Sequence, residues 1–135
     1  DTAAEDAGKV FVSTELGGGG SATARSATIA KRGAENILRH AGILEGAPEG
    51  AGTVRMDTTA GDCFHFSPCD GMLEMLVDLE DQVTKGDVVA RIWPLDRTGT
   101  APMDIISKET GILAARHVPG LIGHGDCLAV VALVM

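Results

Sequence analysis

A chain of 135 residues is long enough for one ordinary domain or two small ones. Apolar residues make up 44% of it and aromatic ones only 3%, so a core must be built from Val, Ile, Leu, Ala and Met. A formal charge of −8 argues against nucleic acid, whose phosphates would be repelled, and no stretch has the length of a transmembrane helix or the look of a signal peptide.

In chain order, Asp1–Gly8 is polar and small and reads as a loop or frayed end. Val10–Gly20 follows. Val10, Phe11, Val12 and Thr14 are β-branched or aromatic and predict a strand. Four consecutive glycines, Gly17 to Gly20, then stop it, because they continue neither a strand nor a helix cheaply. Glu15 sits at the junction. In open α/β sheets ligands bind at the carboxyl ends of strands, and an acid there is costly to desolvate unless it is paired or used. The plain alternative is a strand-end glutamate facing solvent. The glycines likewise have two readings: a backbone that approaches a substrate closely and offers free N–H groups, or simply a flexible connection. No Gly-Lys-Ser/Thr follows, so this is not a Walker loop.

Ser21 or Thr23 can cap a helix running to about Ala41. Ala30, Ala34, Ile37, Leu38 and Ala41 fall on one helical face. Arg39 and His40 lie in the last turn, where positive charge suits the helix dipole, and Gly42 supplies a left-handed stop. That capping role accounts for His40 without a metal.

Glu45–Gly52 is rich in turn residues and marks a boundary between residues 1–52 and 53–135. Beyond it, short apolar runs (Met72–Leu79, Val88–Trp93, Ile112–Ala115, Cys127–Val134) alternate with Gly-Asp turns, the pattern of an all-β unit. The unit is internally duplicated over 67–92 and 107–132: Ser67-Pro-Cys-Asp-Gly-Met-Leu aligns with Ser107-Lys-Glu-Thr-Gly-Ile-Leu, and Gly86-Asp-Val-Val-Ala with Gly125-Asp-Cys-Leu-Ala. Neither repeat can bury a face alone, so the two are expected to pair. Asp87 and Asp126 hold equivalent positions, which points to turn chemistry. His65 lies between Phe64 and Phe66, and strand alternation turns it from the face they use. Asp62, Cys63 and His65 have ligand chemistry without a zinc spacing, and His117 and His124 flank the Pro119-Gly120 turn. Trp93, before Pro94, reads as a packing residue at the edge of a strand. Cys63, Cys69 and Cys127 form no C-x-x-C pair and are odd in number, which suggests reduced, cytoplasmic thiols.

Two resemblances attach to these residues. Thr-Glu-Leu-Gly-Gly-Gly-Gly over 14–20, with a helix ending Glu-Asn-Ile-Leu-Arg-His-Ala-Gly-Ile-Leu over 35–44, resembles the succinylglutamate desuccinylase/aspartoacylase family of zinc-carboxypeptidase-like hydrolases, and within it the bacterial deacylases of N-acylated amino acids. The resemblance runs from about Gly8 to the C-terminus. It implies that residues 1–52 are the closing strand and helix of an α/β zinc hydrolase domain. Glu15 would be the general base and acid, Gly17, Gly18 and Gly19 would line the substrate, and the substrate would be an N-acyl amino acid. The family's zinc ligands, a His-x-x-Glu pair and a later His, precede the glutamate strand. None of His40, His65, His117 and His124 has Glu three residues on, so the resemblance implies zinc held outside this chain, which looks like the C-terminal portion of a longer enzyme. On that reading the Val10–Thr14 strand lacks its neighbours and is expected to pair with another copy, pack on the β unit's edge or be poorly ordered.

The repeats in turn resemble a biotinyl/lipoyl-like flattened barrel. Such domains carry a modified lysine at the hairpin between their halves, and the family's similar β-domain packs beside the zinc cleft and narrows its entrance. Here the hairpin, residues 94–103, has Arg97 and no lysine, while Lys85 lies before the Gly-Asp turn as ordinary solvated surface. A swinging-arm role is therefore not expected. The rival from another class is a non-catalytic β module with a docking strand and helix.

Overall fold

The computed structural model describes residues 2–50 and 52–135; Asp1 and Ala51, in the expected N-terminal loop and linker, lie outside the described residues. Two compact units result, Asp1–Ala51 and Gly52–Met135.

The first unit is built on α2 (Ala24–His40), preceded by the short α1 (Thr2–Asp6). Thr23, one of the two expected caps, begins α2: its Oγ1 accepts the Ser26 N–H at 3.0 Å while Ser26 Oγ accepts the Thr23 N–H at 2.9 Å. Each side chain thus satisfies an amide that the first turn leaves free. The helix ends as its sequence predicts. Gly42 is left-handed at φ 71°, its N–H bonds to Arg39 O at 3.0 Å, and the Ile43 N–H reaches back to Leu38 O at 2.9 Å. These two bonds are those of a Schellman closure. The segment after it is tied down by Asn36, whose side-chain amide donates to Glu49 O and whose Oδ1 accepts the Glu49 N–H at 2.9 Å.

Two expectations for this unit fail. Residues 2–6 form a helical turn rather than a loop, because Thr-Ala-Ala-Glu-Asp combines good helix formers with an acid in the first turn. The strand expected over Val10–Thr14 does not form, and Val10, Phe11 and Val12 are exposed. A strand needs a neighbour for its N–H and C=O groups, and the described residues of this unit hold only one isolated bridge, Gly18 to Ser21.

The second unit is all β. Its strands are β1 (Met56–Asp57), β2 (Phe64–Phe66), β3 (Gly71–Met75), β4 (Gln82–Val83), β5 (Val88–Trp93), β6 (Met103–Ile106), β7 (Gly111–Arg116), β8 (Leu121–Ile122) and β9 (Cys127–Val134). They make two antiparallel sheets: one ordered β1-β9-β7-β4, with β2 also paired to β9, and one ordered β6-β5-β3-β8. No described strand pairs across from one sheet to the other, and no closed ring forms.

The duplication explains this topology. Each repeat gives its short middle strand to the other repeat's sheet: β4 pairs with β7 (Val83 opposite Gly111) and β8 with β3 (Ile122 opposite Gly71). The turns repeat bond for bond. Ser67 N–H donates to Asp126 O and Ser107 N–H to Asp87 O, each at 2.8 Å. Asp87 Oδ2 accepts the Thr84 N–H, and Asp126 Oδ2 the Gly123 N–H, again at 2.8 Å, which is the turn role expected of these two acids. Gly86 and Gly125 follow with φ of 100° and 90°.

The core lies between the sheets. Val89, Ile92, Leu113, Leu128 and Val131 are essentially inaccessible, with Val83, Ile105 and Ile122 beside them. Strand alternation selects these residues, and their aliphatic character matches a chain poor in aromatics.

Candidate functional site

Glu15 sits where the sequence places it, at the mouth of the glycine tract. Gly17, Gly18, Gly19 and Gly20 have φ of 90°, 112°, 62° and 70°. Four successive left-handed residues are open only to glycine at low cost, so the tract's composition follows from its path. The turn is pinned at its far end by Ser21, whose N–H and Oγ both donate to Gly18 O, at 3.1 and 2.8 Å. Thr23 and the start of α2 follow directly. Glu15 is exposed and, among the described residues, makes no hydrogen bond or ion pair, so its carboxylate is available to a ligand. A Cβ at Gly20 would meet nothing within 4 Å and one at Gly17 only Ser21 O at 3.5 Å, so the backbone there is approachable.

Other candidates divide by what holds them. His40 ends α2, beside the Arg39–Glu35 pair at 3.6 Å. His124 is exposed, and its N–H donates to Asp70 Oδ1 at 2.7 Å. Burial pushes the Cys127 thiol up, which disfavours a nucleophilic thiolate. Trp93 closes β5, an inner strand flanked by β3 and β6 rather than an edge, and its Nε1–H donates to Glu74 Oε2 at 2.7 Å. Lys85 is exposed, as expected.

His65 is unlike the rest. It is 2% exposed, whereas Phe64 and Phe66 stack on each other with ring centroids 6.3 Å apart on the opposite face. Alternation predicts that separation. What it does not predict is that the imidazole takes the inside. Nε2 accepts the Lys108 N–H at 3.0 Å, so the neutral ring carries its proton on Nδ1, an atom with no hydrogen-bond partner among the described residues. Burial holds its pKa below the ordinary histidine range, opposed by the carbonyls of Ala129 and Cys63.

The resemblance implies zinc held by residues outside this chain. Among the described residues no three His, Cys, Asp or Glu side chains come together as a metal site. Asn36 is the residue the sequence reading missed: its use as a two-way clamp on the Glu49 backbone leaves no mark in periodicity or capping patterns.

The chain is similar to solved proteins of the succinylglutamate desuccinylase/aspartoacylase type: one from Rhodobacter sphaeroides is 31% identical, with 99% of this chain and 43% of that one covered at a TM-score of 0.93. More particularly, it is 53% identical to the ectoine utilization protein EutE (DoeB) of Ruegeria pomeroyi in a product-bound structure, over 98% of this chain and 41% of that one, TM-score 0.93. It is also 42% identical over 138 residues to the N-alpha-acetyl-L-2,4-diaminobutyric acid deacetylase of Halomonas elongata, covering all of this chain and 40% of that protein. The chain is thus homologous to the C-terminal part of these enzymes and spans about two fifths of their length. No family model matches it. Among the described residues no helix is long and apolar enough to cross a membrane.

Proposed function

We propose that this chain is the part of a zinc-dependent amidohydrolase that supplies the proton-transfer glutamate for deacylating an N-acyl amino acid, with N-acetyl-2,4-diaminobutyrate as the first substrate to test. The similarity of the whole chain to deacetylases of that class carries the proposal. The free carboxylate of Glu15 before the Gly17–Gly20 tract supports it. Glu15 takes a proton from the attacking water and returns it to the nitrogen of the departing amine, while the glycine backbone lets the substrate lie close to the carboxylate. The metal's ligands lie outside this chain, and zinc when bound supplies Lewis acidity at the acyl carbonyl. For the β unit, interlocked repeats without a lysine in the connecting hairpin support a biotinyl/lipoyl-like scaffold that has no carrier role. Three unpaired cysteines agree with a reducing, cytoplasmic setting.

The test is Glu15→Gln in the complete gene product. Removal of a general base costs about 10²–10⁴ in rate, so turnover of the acetylated diamino acid should fall by that factor while bound zinc, measured by elemental analysis, is unchanged. Turnover near the wild-type rate removes Glu15 from the role.

A further inference from the structure

The two repeats match at nearly every turn bond, and His65 marks where they part. Ser67 and Ser107 are equivalent, their hydroxyls donating to Cys69 O and Glu109 O at 2.5 and 2.7 Å. Counting from them, His65 corresponds to Ile105, a core residue 8% exposed, and Lys108 corresponds to Pro68. The substitutions are complementary. The repeat with Pro68, which has no N–H, is matched by Ile105, an apolar residue, at the position equivalent to His65. Where the other has a lysine with an N–H to satisfy, the facing position is an imidazole that accepts it at 3.0 Å. The bond joins β2 to the turn between β6 and β7, 43 residues away in sequence.

We propose that His65 is a proton-operated latch: the neutral ring holds the 107–110 turn through the Lys108 amide, and protonation releases it. The proton adds to the Nε2 lone pair, the one that accepts the amide, so the protonated ring presents N–H to N–H and the hydrogen bond is lost. Nδ1 already carries a hydrogen, and the Ala129 and Cys63 carbonyls that favour the charged ring are outweighed by its burial, so the lost bond is not recovered. The charged groups nearby do not decide the outcome. Asp62, from the turn before β2, favours the charged ring, and the Lys108 ammonium opposes it; the two lie 3.7 Å apart and are each more than half exposed. The neighbouring Cys63 thiol is buried, Cys127 lies farther along β9, and Glu109 follows Lys108 on the turn. From β7, Arg116 shares the cross-strand row through Ala129, but its guanidinium is bound to Asp78 at 2.7 Å. Because the ring's pKa is lower folded than unfolded, the unfolded chain takes up the proton first. The latch is closed, and its stabilisation whole, above the unfolded value of about 6.5, and both are lost as pH falls below it.

The test follows the Lys108 amide and the His65 ring in the full-length protein from about pH 7.5 to 5. Expected is a ring midpoint below the ordinary histidine range, with protection of the Lys108 amide from hydrogen exchange falling about tenfold across the same midpoint after correction for intrinsic rates. In His65→Gln, whose side-chain oxygen accepts the amide without titrating, protection should persist to the acid end. Should that variant fail to fold, Lys108→Pro, which copies Pro68, removes the donor and should raise the ring midpoint toward the ordinary range. A ring neutral throughout, a ring that titrates while the Lys108 amide stays protected, loss of protection in His65→Gln at the wild-type midpoint, or an unmoved midpoint in Lys108→Pro each overturns the latch.

Discussion

The two units of this chain store different things. Residues 52–135 carry the buried core, a dozen hydrophobic side chains at 8% exposure or less, between sheets that interlock by strand exchange. In residues 2–50 no residue is buried, yet Glu15 and the glycine tract lie there. The buried core and the proposed proton-transfer group thus lie in separate stretches of sequence. The first is written as period-two aliphatic strands, the second as a tract whose backbone conformation only glycine tolerates.

The comparison breaks most directly at the centre of the β unit. Leu113 is fully buried, and its N–H donates to Asp81 O at 3.0 Å. Leu113→Ala should destabilise by about 2–5 kcal/mol, the lost transfer energy plus the cavity. Leu38→Ala on α2, where the side chain is 40% exposed and alanine is an equally good helix former, should change stability by no more than about 0.5 kcal/mol. Urea unfolding of the two variants measures both. Similar losses would show that the first unit hides packing that its exposure does not reveal.

Within the β unit, the repeats can be set against each other at their matching glycines. A Cβ at Gly71 would meet Ile92 Cγ2 at 2.5 Å and Trp93 O at 2.8 Å; at Gly111 it would fall inside the radius of the Ala132 carbonyl oxygen, deeper and against backbone alone. Forced overpacking costs about 1–3 kcal/mol when side chains can yield. Both sites meet a strand carbonyl that cannot yield, so both substitutions should exceed that range, Gly111→Ala by more than Gly71→Ala because its Cβ enters the carbonyl more deeply. Thermal unfolding ranks the two, and the reverse order would mean that the second repeat is the more yielding.

These features were unequally legible in the sequence. The ends of α2, Thr23 and Gly42, were readable because caps are local: each is fixed by bonds to residues within five positions. The limits of β5 and β9 were readable from aliphatic runs bounded by turns, and the duplication from paired Gly-Asp motifs. Glu15 was singled out by its place before the glycines and by a family resemblance. The Val10–Thr14 stretch has a β-prone composition but forms no strand, in keeping with the expectation that its neighbours lie outside this chain. The His65–Lys108 bond was illegible for a different reason. It spans 43 residues and emerges only when the two repeats are superposed and the differences at 65/105 and 68/108 are set side by side.

The smallest effect tests whether the first unit has any stability of its own to lose. Thr23 and Ser26 exchange hydrogen bonds of 3.0 and 2.9 Å at the start of α2, and among the described residues Thr23 Oγ1 is the side chain that accepts the Ser26 N–H. Thr23→Ala removes that acceptor and should weaken the helix by about 1 kcal/mol. Thr23→Asp keeps an acceptor and adds a charge favourable to the N-terminal dipole, so it should hold or gain a few tenths of a kcal/mol. Because α2 buries no residue, the change should appear as a graded loss of far-ultraviolet helical signal in Thr23→Ala, with the cooperative melt of the β core left in place. If the alanine variant instead moved the β melt, the helix and the strands would have to unfold as one, and the division of labour between the two stretches would hold for the chemistry alone.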